Sequence, residues 1–86
     1  MYVHIGGGYV VRDSDIIGFF DIDGQHTSEI TKEFLKKYES EARTDLAGDD
    51  LPRSFVLSDE LGEAVAVLTH ISTSAIKNRL SQPIDG

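Results

Sequence analysis

Apolar residues in this chain change their spacing at Glu29, and that change sets the fold class. Ahead of it they fall in short β-branched and aromatic runs, "MYVHI", "YVV" and "IIGFFDI". Such runs have the spacing of half-buried strands. From Glu29 onward Ile30, Phe34, Tyr38 and Ala42 recur every four residues with Leu35 beside them. This is the stripe of an amphipathic helix over 29–42, supported by a Glu33→Lys37 pair. Ser28 is the N-cap candidate, with Glu29 where the helix dipole favours a carboxylate. Strand spacing returns in "RSFVLS" and "AVAVLTH", joined by a "DELGE" turn. "STSAIKNRL" then opens on hydroxyl caps and sets Ile76 and Leu80 on one face of a short helix over 73–80. "ARTDLAGDDLP" reads as a polar loop closed by Pro52. The order β-β-β-α-β-β-α predicts an α+β domain with a mostly antiparallel sheet of about five strands and two helices.

The first two runs are separated by Gly6, Gly7 and Gly8. No Lys-Ser/Thr follows them, so they are not a P-loop, and a strand follows where the dinucleotide fingerprint needs a helix. They read as a hairpin turn, with glycine supplying the positive φ. Gly18 inside the third run predicts a bulge or a close backbone approach.

A chain of 86 residues is one small domain, of a size that buries only about 60% of its unfolded surface. Residues 1–80 are expected to form the core and 81–86 a tail. No cysteine is present, so neither a disulfide nor a thiolate metal site can staple that core. Association of subunits is the remaining common way to bury more apolar surface. No apolar run approaches the roughly 20 residues that span a bilayer, and the opening residues do not have the order of a signal peptide. The expectation is a soluble, intracellular protein.

Net charge is −7, from eight Lys/Arg against fifteen Asp/Glu. Residues 1–31 carry one basic against five acidic groups, and 44–63 one against six. Nucleic-acid binders usually carry a basic footprint, so the overall balance favours a protein-interaction domain. "DIDG" begins like a calcium loop at Asp21. The fifth ligand position is Gln25, however, the glycine position is His26, and the bidentate glutamate position is Lys32. His4, His26 and His70 are isolated along the chain, with no His-x-x-x-His pair to bind a metal. No nucleophile elbow and no framed carboxylate pair occurs. No enzyme, cofactor or metal is expected.

Lys36 lies with Lys32 and Lys37 on part of one helix surface, interleaved with Glu33 and Glu39. A solvated face is the default for such a pattern. Arg12, Arg53, Lys77 and Arg79 complete a candidate set for contacting phosphates, the alternative being exposed pairs with aspartates such as Asp13 or Asp50.

"MYVHIGGGYVVRDSDIIGFFDID", followed in order by "EFLKK", "RSFVLS" and "STSAIKNRL", resembles the RemA/RemB family of extracellular matrix regulatory proteins of Gram-positive bacteria. The resemblance covers the chain to Leu80. It implies a cytoplasmic, non-enzymatic regulator of biofilm-matrix genes that binds DNA as a ring-like homo-oligomer of LytTR-like subunits. Arg53 and Arg79 match basic positions of the family, which makes Arg53 the foremost candidate DNA contact; Arg79, with Arg12, Lys77 and Lys36 from the candidate set above, is expected to contribute. The family's Gly-Arg-Arg-Thr-Arg run is here "DDLPR": only Arg53 matches a basic position, and Asp50 and Leu51 stand where paired arginines would be. Tyr9 stands where the family has asparagine. Two fewer arginines remove about two phosphate contacts per subunit. The other reading is an oligomeric protein-interaction scaffold that regulates without touching DNA.

Overall fold

A computed structural model describes residues 1–22 and 29–81. The Ser28 cap, His26, the calcium-loop positions after Ile22 and the tail beyond Ser81 lie outside the described residues.

The first two strands, β1 (Tyr2–His4) and β2 (Val10–Arg12), form an antiparallel hairpin in which Val3 faces Val11. A 3-10 turn at Asp13–Asp15 leads into β3 (Ile16–Asp21). Helix α1 (Glu29–Ser40) is followed by β4 (Thr44–Ala47), β5 (Ser54–Glu60), β6 (Glu63–Thr69) and α2 (Thr73–Ser81). The last four strands assemble in the order β3-β5-β6-β4, antiparallel except for the β4–β6 pair.

The α+β class, the hairpin and both helices follow the sequence pattern. Register slips between Ile16 and Gly18, which is the bulge expected at that glycine. "DELGE" closes β5 on β6 through Leu61 and Gly62, both at positive φ, as a tight primed turn requires. Ser72 supplies the cap of α2, its hydroxyl accepting from the Ala75 amide at 3.2 Å.

Two expectations are corrected. The described residues hold six strands, because part of the expected polar loop, Thr44–Ala47, is a strand at the sheet edge. Helix α1 stops at Ser40 and does not reach Ala42. Ala42 adopts φ 55°; its amide bonds Glu39 O, and the Arg43 amide bonds Tyr38 O. That is a Schellman stop, made here without the usual glycine.

Strand alternation divides the core into two layers. Val56 and Val67 face one way, toward Val3, Ile5 and Val11 of the hairpin and Ile76 of α2. Phe55, Leu57 and Ala66 face the other way, toward Leu35 and Tyr38 of α1. The four-stranded sheet is therefore the middle of three layers, with the hairpin and α2 on one face and α1 on the other. Two buried polar side chains on the hairpin face, Thr69 and Ser54, find partners. Thr69 Oγ1 donates to Ile5 O and accepts from the Ile71 amide, and Ser54 Oγ donates to Ile71 O.

Candidate nucleic-acid interface

The layering decides which cations can act together. Lys36 is exposed on α1, whereas Arg12 on β2 and Lys77 and Arg79 on α2 belong to the opposite layer. A flat ligand on one face cannot engage both sets. Arg79 is held by the hairpin: its Nη1 donates to His4 O at 2.6 Å, tying α2 to β1. Arg12 pairs in register with Tyr2, at the end of the hairpin away from the glycine turn. Lys77 is exposed on α2.

Arg53 lies at the far end of the sheet, just before β5. Its amide donates to Thr69 O at 2.8 Å and its carbonyl accepts from the Ile22 amide at 3.0 Å, so its backbone is fixed between β3 and β6. Acidic groups crowd this corner. Asp21 pairs in register with Ser54 and accepts from the Thr73 hydroxyl at 3.0 Å. Asp50 Oδ2 lies 3.8 Å from His70 Nδ1. Among the described residues no group of three or more His, Cys, Asp or Glu could hold a metal ion.

Two polar centres had no sequence signal. Arg43 stacks over the Tyr38 ring at 4.3 Å, donates through Nε to Ala64 O at 3.0 Å and bridges to Glu41 at 3.0 Å. It locks the end of α1 to β6, so this cation is structural. Only the fold brings Tyr38, Ala64 and Arg43 together. The Tyr9 hydroxyl lies 3.0 Å from Asp45 Oδ2 and 2.9 Å from Glu60 Oε1, a single phenolic proton shared between two carboxylates. Burial first, then these hydrogen bonds, raises the Tyr9 pKa above its ordinary value near 10.

A testable pH dependence follows from Tyr9. A raised folded pKa contributes stability that is complete below the unfolded value and lost as pH rises through the folded one. Stability should therefore decline above about pH 10, the ordinary tyrosine value, as the unfolded chain releases this proton. Tyr9→Phe should show a smaller decline when urea midpoints at pH 8 and pH 11 are compared. An equal decline in both proteins would remove Tyr9 from the alkaline transition.

The three-layer fold, with its hairpin and α2 on one face, defines a small α+β domain whose candidate cations are dispersed among the described residues. No protein-family profile matches the chain. It is 38% identical over 58 residues to extracellular matrix regulatory protein B of Bacillus subtilis (strain 168), a match spanning 67% of this chain and 68% of that protein. The chain belongs to the extracellular matrix regulatory protein B family.

Proposed function

We propose that this protein is a non-enzymatic, cytoplasmic regulator of extracellular-matrix gene expression that acts through DNA as a homo-oligomer. The observation that carries this reading is its membership of a family whose curated relative is named for matrix regulation. Among the described residues no helix is long and apolar enough to cross a membrane. An oligomer is central to the proposal. One subunit offers Arg12 and Lys77 on one face and Arg53 at one end, too few cations for a footprint. Repetition around an assembly, with LytTR-like subunits as the family resemblance implies, would multiply them.

A second reading, a protein-interaction scaffold that does not touch DNA, is favoured by a specific observation. Lys36 lies on the opposite layer from Lys77, and Arg43 and Arg79 hold internal carbonyls. One measurement separates the two readings: binding to a matrix-gene promoter fragment and to unrelated DNA over a salt series. Direct phosphate contact requires affinity that falls steeply with salt, with a slope near −0.9 per phosphate neutralised. Arg53→Ala should weaken binding on all sequences alike and make the slope shallower by about 0.9 for each phosphate that it no longer neutralises. Unchanged binding by that folded variant removes Arg53 from the interface. No binding of the parent at low salt assigns the chain to the scaffold class.

A further inference from the structure

The layer formed by the hairpin and α2 differs in charge from the rest of the chain. Strands β1 and β2 and helix α2 hold Arg12, Lys77 and Arg79 and no Asp or Glu. All fifteen acidic residues of this chain of net charge −7 lie outside them. Alternation along the hairpin turns Val3 and Val11 into the core and leaves Tyr2, His4, Val10 and Arg12 on the outer face. Tyr2 is 67% exposed there. Arg12 stands opposite it in register, near enough for the two side chains to meet one ligand. On the other flank of β1, Arg79 reaches from α2 to His4 O, and Lys77 is exposed on the same helix. Of the acids that border this layer, Asp13 pairs with the amino terminus at 3.6 Å and Asp21 accepts from the Thr73 hydroxyl.

We propose that this face is a platform for unpaired nucleic-acid strands, with bases stacked on Tyr2 and His4 and phosphates held by Arg12, Lys77 and Arg79 on either side. It goes beyond the function proposed above, which concerns a promoter duplex. Planar rings at alternate positions on an open strand face are how sheet platforms take up unpaired bases. A base inside a duplex presents no free face to such rings, so they select a single strand. Charge complementarity favours a polyanion here: every formal charge on β1, β2 and α2 is positive, on a molecule acidic elsewhere. Three cations are few for a duplex footprint. They suffice for a single strand, because stacking supplies affinity that does not depend on charge. Tyr2 and Arg12 then divide the contact: the ring takes the face of a base, and the guanidinium fork grips a phosphate with two hydrogen bonds. Unpaired bases on a phosphate backbone are offered by DNA and RNA alike.

Fluorescence anisotropy of the full chain with short labelled oligothymidylate and oligouridylate tests this, beside a duplex of the same length and vesicles of anionic phospholipid. Circular dichroism checks the fold. The parent should bind at least one single strand more tightly than the duplex, and the strand bound better identifies DNA or RNA as the source. Tyr2→Ala should weaken that binding about fivefold or more and leave the salt slope unchanged, because stacking releases no counterions. Lys77→Ala should make the slope shallower by about 0.7, the single-strand value per phosphate. Should Tyr2→Ala misfold, Tyr2→Leu, which keeps the apolar bulk and removes the ring, is read in its place. No binding to either strand at low salt, or tighter binding to the duplex, overturns the platform. So does a folded Tyr2 variant that binds as the parent does. Vesicle binding without strand binding gives the face to anionic membranes and overturns it too. Strand binding by a parent that ignores the promoter duplex supports the platform and overturns the duplex reading alone.

Discussion

Phe55→Ala is expected to remove a large part of this protein's stability. The side chain is fully buried in β5 and stacks on Phe20 at 5.1 Å. It also underlies Phe34 and belongs to the cluster with Leu35, Tyr38, Leu57 and Ala66. Truncating a buried phenylalanine costs about 3–5 kcal/mol, from lost transfer energy plus the cavity left behind. A domain of this length has a total stability of roughly 4–13 kcal/mol at the usual 0.05–0.15 kcal/mol per residue. One substitution therefore removes a large part of what holds α1 on the sheet. Urea denaturation followed by far-ultraviolet circular dichroism measures the loss. A drop below about 1.5 kcal/mol, less than half the usual cost for such a site, would mean that the layer under α1 repacks and is not a fixed core.

The second large effect is a contrast between adjacent glycines. Gly7 has φ +56° and lies against the backbone of Gly48, where an added Cβ would come within 2.4 Å of the Gly48 Cα. Neither partner can yield as a flexible side chain could, since both contacting groups are main chain. Gly7→Ala must separate the hairpin tip from the segment after β4. It is expected to cost about 2–5 kcal/mol, combining left-handed strain with overpacking. Gly8 has φ +78° but nothing within 4 Å of an added Cβ. Gly8→Ala should cost only about 1–2 kcal/mol, the left-handed penalty alone. Thermal melts of the two variants side by side test the contrast. Equal losses would show that conformation, and not the backbone approach to Gly48, is what requires glycine at position 7.

The Gly7 contact shows where sequence reading stops. Three glycines between strand runs identify the hairpin turn, because turn chemistry depends on a few adjacent residues. Nothing in them reveals that the middle one touches Gly48, which is 41 positions away in the chain. The candidate site divides in the same way. Arg12, Arg53, Lys77, Arg79 and Lys36 are visible as residue types, but their arrangement depends on which sheet face each helix covers. Arg43 and the Tyr9 centre were illegible because each draws its partners from several elements.

By itself the sequence determined the local elements. The switch in apolar period at Glu29 separates strands from helix, Gly18 marks the bulge, Gly62 closes the β5–β6 turn and Ser72 starts α2. Each of these acts through neighbouring dihedral angles and adjacent amides. Tertiary structure alone decided the sixth strand, the limit of burial on α1 and the dispersal of the cations. "TDLA" has no strong strand pattern, and it becomes β4 because β6 offers it a parallel partner some 22 residues later, with Thr44 opposite Ala66. Ile30 has the period of a core residue but remains exposed at the rim of an open apolar groove that it lines with Phe20, Phe34 and Phe55. Lys36 and Lys77 end on opposite faces because alternation along β5 and β6 gives each face its own apolar layer, and each layer draws in a different helix.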